Sequence, residues 1–210
     1  MPAAKKPTTP VSGGYTAHNE RSRAAFLHDG VKVLETFGPF ATTQQIQSIT
    51  GVSPTTLYRY FKNRETYLSE SFGSIWLPWI EKSRDLAAKF DDGLIELVLP
   101  MRMILALNQT NPSLAAIMRH KDWQLESAFP EFQNDWVSHY RSLVKSGVLP
   151  SEQAEARILP FSGAMLVLIK SAFQGLDPEQ ANESFKVALS MLNLSHAQIK
   201  KVMQVPLPPA

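Results

Sequence analysis

Residues 40–68 read FATTQQIQSITGVSPTTLYRYFKNRETYL, and their reading decides the fold. Thr42 or Thr43 offers a capping hydroxyl for a short helix over 44–49, with Ile46 and Ile49 three apart on one face. Gly51 supplies a sharp turn. Ser53-Pro54 then opens a second helix in the favoured order, a cap hydroxyl followed by proline at the first helical position, and that helix is predicted to reach about residue 60. Its residues are unusual for a packing helix. Thr55, Thr56, Tyr58, Arg59 and Tyr60 surround a single apolar anchor, Leu57, with Phe61 closing the element. Hydroxyls, phenols and a guanidinium around one anchor suit phosphates and base edges better than a core. Asn63 caps the next helix, whose first turn carries Arg64, a cation placed against the helix dipole unless an anion lies nearby.

Upstream, Phe26, Leu27, Val31, Val33, Leu34 and Phe37 recur at helical spacing from His18 until Gly38-Pro39 stops them. Three helices, with a glycine turn between the second and third, outline a helix-turn-helix head over 18–63. Residues 1–17, rich in proline and glycine, are expected to form a flexible tail, its Lys5-Lys6 pair a solubilising end more than a DNA-contacting arm.

Downstream, helical periodicity continues over 64–204, with helices started by Asn63, Asp91-Asp92, Asn111-Pro112, Ser151, Pro178 and Ser195. Pro78 and Pro160 are expected to kink the helices that contain them. Residues 205–210 read as a second tail. No segment alternates as a strand would, so the fold class is all-α: a three-helix head followed by a larger helical body.

Composition narrows the function. With 44% hydrophobic and 19% charged residues the chain can build a core. Its longest apolar runs, at 97–99 and 165–169, are far shorter than the ~20 residues of a membrane span, and no secretory segment is evident, so a cytoplasmic protein with no membrane partner is expected. Zero cysteines exclude disulfides, thiolate nucleophiles and cysteine-ligated zinc. The histidines at 18, 28, 120, 139 and 196 lack the spacing of a helical metal pair, and no nucleophile elbow or phosphate loop is present. No cofactor, metal site or catalytic residue is therefore expected, and the chain is not expected to be an enzyme. Residues 1–70 hold eight Lys/Arg against five Asp/Glu, and the remainder thirteen against fourteen, so the head is mildly basic and the body neutral.

The order Phe40-Ala41-Thr42-Thr43, Gln45-Ile46, Gly51-Val52-Ser53, Leu57-Tyr58-Arg59-Tyr60-Phe61 and Asn63-Arg64-Glu65-Thr66-Tyr67-Leu68 closely resembles the DNA-binding head of TetR-family transcriptional repressors. The resemblance covers about a quarter of the chain. It implies base or groove contacts from Thr55 and Thr56, phosphate contacts from Thr43, Tyr58, Tyr60 and Arg64, and an interface that also includes Ser53 and Arg59. Pro54 and Thr55 stand where many members have lysine and glycine, which removes one phosphate-binding cation and puts a bulkier side chain toward the groove. Gln44, Gln47 and Ser48 replace charged residues often seen in the second helix.

The resemblance further implies a ligand-responsive repressor that binds a palindromic operator on double-stranded DNA as a homodimer. An apolar or aromatic small-molecule effector is expected among Trp76, Trp79, Met101, Leu105, Trp123, Trp136, Tyr140 and Met165, residues that equally suit an ordinary core. Close approach at Gly163, Ala164, Val167 and Ser171, with a stripe of Phe185, Leu189 and Leu192, is the expected dimer interface. The alternative reading is a small-molecule binding protein whose head has lost operator specificity.

Overall fold

The structure, a computed structural model, describes residues 13–120 and 130–208, and every regular element among them is a helix. The head comprises α1 (Gly13–Phe37), α2 (Thr43–Thr50) and α3 (Pro54–Leu57). The body follows as α4 (Arg64–Ala88), α5 (Gly93–Leu105), α6 (Leu107–Thr110), α7 (Pro112–Met118), α8 (Pro130–Lys145), α9 (Ala154–Phe173), α10 (Pro178–Met191) and α11 (His196–Met203). The all-α class predicted from periodicity is the class found.

Side-chain caps set most of the helix starts. Thr42 and Ser195 form reciprocal capping boxes with Gln45 and Gln198, while Asn63, Asp92, Asn111 and Asp177 each accept from first-turn amides. Four boundaries differ from the sequence reading. Helix α1 starts at Gly13, so residues 13–17 belong to it and not to a tail; extending an established helix adds a hydrogen bond for each residue fixed. Helix α3 stops at Leu57, because the next amides bond three residues back, Arg59 to Thr56 at 3.3 Å and Tyr60 to Leu57 at 3.0 Å, as the chain tightens to bury Phe61. Helix α9 starts at Ala154 rather than Ser151, since Gln153 takes a left-handed backbone with φ 56°. The segment 205–208 is docked: Val205 is buried, and Arg102 donates to the carbonyls of Val202 and Val205 at 2.9 and 2.8 Å.

Two glycines are required by geometry. Gly51 holds the left-handed φ of 66° that caps α2 and turns the chain toward α3. Gly30 lets α1 lie against α4, for a Cβ there would sit 2.0 Å from Ser71 Oγ and 2.9 Å from the Tyr67 ring. That crossing joins head to body. Tyr67, fully buried, donates its hydroxyl to the Phe26 carbonyl at 2.9 Å, and burial pushes its phenol pKa up. A second joint connects the end of α1 to α7: the Ser113 hydroxyl donates to the Glu35 carboxylate, and His120 Nε2 donates to the Glu35 carbonyl at 2.9 Å.

Helix α5 is the body's centre, buried along nearly its whole length and packed by α4, α8, α9 and α11. Helices α9 and α10 pair as a hairpin on one side. By length and composition α9 could cross a membrane: its apolar window has a mean hydropathy of 1.4, and 28% of it is buried in the protomer. The expectation that nothing approaches membrane length is corrected here. Strictly apolar runs are short, but Gly163, Ala164 and Ala172 keep the average apolar between them.

Candidate nucleic-acid interface and body cavities

Ile46, Leu57 and Phe61 are buried with Val33, Leu34 and Tyr67, so α2 and α3 hang on a small shared core and turn their remaining side chains outward. Thr55 and Arg59 are exposed, Tyr58 is 40% exposed, and Thr43 and Thr56 are half-buried. The Thr43 and Tyr58 hydroxyls approach to 3.4 Å, joining the start of α2 to the end of α3. Ser53 is an exposed cap whose hydroxyl accepts from the Thr56 amide at 3.3 Å and lies 3.0 Å from the Thr56 hydroxyl. Its lone pairs are therefore partly used by its own helix. Tyr60 stands apart: its ring packs edge-on against Phe26 at 4.9 Å, so its body is built into the head.

Arg64 has an anion beside it. Its Nε and Nη2 donate to Glu65 Oε1 at 2.9 and 2.6 Å, and a backbone hydrogen bond together with this contact holds the Glu65 carboxyl below its usual range. Arg23 pairs with Glu70 and Lys32 with Asp29. Among the described residues Arg59 and Lys62, both exposed and adjacent to α3, have no ion pair. Sequence reading passed over Lys62, although its position between Phe61 and the Asn63 cap makes it a loop cation beside α3. Gln44, Gln47 and Ser48 are exposed on α2, a neutral hydrogen-bonding face.

In the body two cavities hold some of the expected ligand residues. One, of about 250 Å³, lies between α4, α5 and α8, and is lined by Ala87, Leu97, Pro100 and Trp136 with Arg84, Glu96, Asp135 and His139 among its polar groups. The other, of about 270 Å³, sits beside Pro78 and is lined by Trp79, Ile75, Met103, Lys82 and Asn111, with Pro208 of the docked segment against it. Helix α4 runs as one element through Pro78, whose missing amide leaves the Ser74 carbonyl, on the same cavity wall, without its helical donor. Trp76, Met101, Leu105, Tyr140 and Met165 line neither cavity; Trp76 stacks between Phe72 and Trp79, and Tyr140 stacks on Trp136. Trp123 lies outside the described residues. The polar linings Arg84, Asp135 and His139 were missed, though Asp135 and His139 are four apart and flank Trp136.

The expected dimer surface needs correction. Phe185, Leu189 and Leu192 are each 0% exposed within the protomer, facing its core. A stripe that is already buried cannot also meet a partner. The outward face of the hairpin is instead Leu159, 81% exposed, Gly163, Leu166 and Val167 of α9 with Val187 and Met191 of α10. A Cβ on Gly163 would meet nothing within 4 Å, whereas Ala164 and Ser171 are half-buried.

No family model matches the chain, and no curated protein aligns with it. A solved structure does superpose. RolR, a TetR-family regulator crystallised with resorcinol, matches with a TM-score of 0.66 over 92% of this chain and 98% of RolR, at 14% identity. The chain has the TetR-type fold.

Proposed function

We propose that the chain is a DNA-binding transcriptional regulator, a ligand-responsive repressor that acts in the cytoplasm and reads a palindromic operator as a homodimer. The observation that carries this reading is the head: a glycine-turned helix pair anchored by Ile46, Leu57 and Phe61 that displays Thr55, Tyr58 and Arg59 to solvent. Residues so placed gain little from folding and are matched to phosphate and base-edge chemistry. The TetR-type backbone and the likeness to RolR support the same assignment.

Dimerisation is proposed through the outward apolar face of α9 and α10. Leu159, Leu166, Val167, Val187 and Met191 form an exposed patch on a hairpin whose other side is core, and a twofold copy of the same patch covers it. A dimer also supplies the second head that a palindrome requires. The effector is proposed to enter the body, where the two cavities lie against α4, the element that also carries Arg64 and Tyr67 in the head.

A mobility-shift titration with the DNA upstream of the chain's own reading frame tests the function: a discrete, salt-sensitive shift is expected, and no shift at low salt on that or any selected sequence would sink it. The reading of a ligand-binding protein with a silent head draws support from one feature, the Arg64–Glu65 pair, which occupies a phosphate-binding cation in the free protein. Full DNA affinity in the titration rejects it.

A further inference from the structure

Helix α3 spans only Pro54–Leu57, and the chain then passes through turns from Tyr58 to the Asn63 cap. One helical turn does not hold a direction by itself in water, because nucleation fixes several residues for a single hydrogen bond. Whatever aims Thr55, Tyr58 and Arg59 must therefore lie outside the segment. Leu57 and Phe61 anchor it in the core, and of the two the flat Phe61 ring is the one whose neighbours can set an angle.

Two side chains from different helices hold that ring. Tyr67 of α4 packs edge-to-face against it at 5.0 Å, with an interplanar angle of 61°. The Arg23 guanidinium of α1 lies over its face, 5.0 Å from the centroid. The same guanidinium pairs with Glu70 of α4, three residues beyond Tyr67. Beside it the Tyr60 ring packs on Phe26 of α1, whose carbonyl accepts the Tyr67 hydroxyl. The end of the recognition segment thus sits inside a closed circuit of α1 and α4 contacts.

Tyr67 and Arg23 each meet all three parts of this circuit, but they differ in kind. Tyr67 is fully buried and belongs to the core. Arg23 is half-buried and charged, and its ion pair is exposed enough to add little to stability, so its main consequence is geometric. Its guanidinium is also committed twice, to a ring face and to a carboxylate, and is not presented to a phosphate as the exposed Arg59 is.

We infer that Arg23 is a positioning residue of the proposed DNA interface: through Phe61 and Glu70 it sets the angle of α3 against α4 without touching DNA, an inference that rests on the regulator reading for its operator effect but not for the angle.

Fluorine NMR of the full chain labelled with 3-fluorotyrosine, without DNA, reads the angle, since the five tyrosines are at 15, 58, 60, 67 and 140 and single Tyr→Phe variants assign them. Arg23→Gln and Glu70→Gln should each shift or broaden the Tyr58 and Tyr60 resonances, while Tyr140, buried in the body, stays in place. Filter binding to the upstream DNA reads the effect. Arg23→Gln should lose about three- to tenfold in affinity, the worth of a cation–ring contact and a half-exposed ion pair. Glu70→Gln should lose less, and the double variant no more than Arg23→Gln, because both act on one circuit. The slope of log affinity against log salt should stay at the wild-type value, since no phosphate contact is lost.

Tyr58 and Tyr60 resonances unmoved in Arg23→Gln would overturn the inference whatever the urea midpoint, for a merely stabilising pair lowers stability without turning the segment. A slope reduced by about one in Arg23→Gln, with Glu70→Gln binding more tightly than wild type, would also overturn it and make Arg23 a phosphate contact that Glu70 restrains. A wild-type chain that shifts operator DNA while Arg23→Gln binds equally well rejects the positioning role alone. One whose resonances move as expected but which shifts no DNA upholds the angle and rejects the regulator.

Discussion

Head and body place their chemistry on opposite sides of their cores. In the head a handful of apolar anchors, Ile46, Leu57, Phe61 and Tyr67, lie within 22 positions of one another in sequence, and Ser53, Thr55, Tyr58, Arg59 and Lys62 between them are turned outward. In the body two half-open clefts lie along α4, one walled by α4, α5 and α8 and the other by α4, α5, Thr110, Asn111 and Pro208, while the outward face of α9 and α10 is apolar. The head is thus specified by short-range spacing. The body is specified by which of several apolar faces wins the core, a choice made only when distant helices meet.

The largest effect should come from confusing those two faces. Leu189 is wholly enclosed by the protomer, so Leu189→Glu buries an unpaired charge and should cost several kcal/mol of protomer stability, enough to abolish folding. Val167, 66% exposed on the opposite face, should tolerate Glu within the protomer and lose the dimer instead. Circular dichroism with sedimentation separates the outcomes: Leu189→Glu unfolded, Val167→Glu helical and monomeric, with weakened operator binding. A Val167→Glu chain that sediments as the wild-type dimer would move the interface off this hairpin.

The same contrast explains what the sequence made legible. Caps and turns around Thr42, Gly51, Ser53 and Asn63 are local, and their positions could be read from spacing alone. The three-helix outline and the exposure of Thr55, Tyr58 and Arg59 follow from those local rules. By contrast, α10 and the Leu192 that caps it carry apolar residues on two faces, Phe185, Leu189 and Leu192 on one and Val187 and Met191 on the other, and periodicity cannot say which turns inward. Nor can it separate a tryptophan that lines a cavity, such as Trp136, from one stacked between neighbours, such as Trp76. The Arg64–Glu65 pair was within reach of the sequence, the two being adjacent, but the choice of partner depends on a rotamer.

The joint between the regions offers a sharper test. Gly30→Ala places a methyl against Ser71 and the Tyr67 ring where α1 crosses α4. Repacking there should cost about 1–3 kcal/mol, read as a lower urea midpoint, and should weaken DNA binding more than a substitution of equal cost deep in α5 would. Equal losses of DNA affinity from both would show that α1 and α4 do not carry the coupling between head and body.

On the head surface, the unpaired cations should matter more than the paired one. Arg59→Ala and Lys62→Ala are each expected to reduce the slope of log affinity against log salt by about one unit. Arg64→Ala should do less, because its guanidinium must first leave Glu65, and Glu65→Gln should raise operator affinity by freeing it. Filter binding over a salt series decides the order. A fall in affinity with Glu65→Gln would mean that the pair positions Arg64 for DNA instead of withholding it. Thr55→Ala should alter preference at particular operator positions, and a loss uniform over all sequences would reduce Thr55 to a positioning role.

The smallest effect belongs to the body's C-terminal clasp, and its sign is fixed by the direction of one pKa. Asp92 caps α5 through Leu94 and Ile95 and pairs with Lys201 of α11; the Lys201 hydrogen bond is the main cause holding its carboxyl below the usual value of 3.8. A carboxyl depressed in the folded state contributes stability that is present above its unfolded pKa and lost as pH falls through the folded one. Asp92→Asn keeps an oxygen that can cap the helix and removes the charge. The stability difference between wild type and Asp92→Asn should therefore be constant from pH 7 to about pH 5, at no more than ~1 kcal/mol for so exposed a lysine, and should shrink as the pH drops below about 4. Urea midpoints measured across that range, with other carboxylates common to both proteins, isolate the term. A difference that stays constant into acid would assign Asp92's contribution to the cap alone and leave Lys201 without a part in holding α11 against α5.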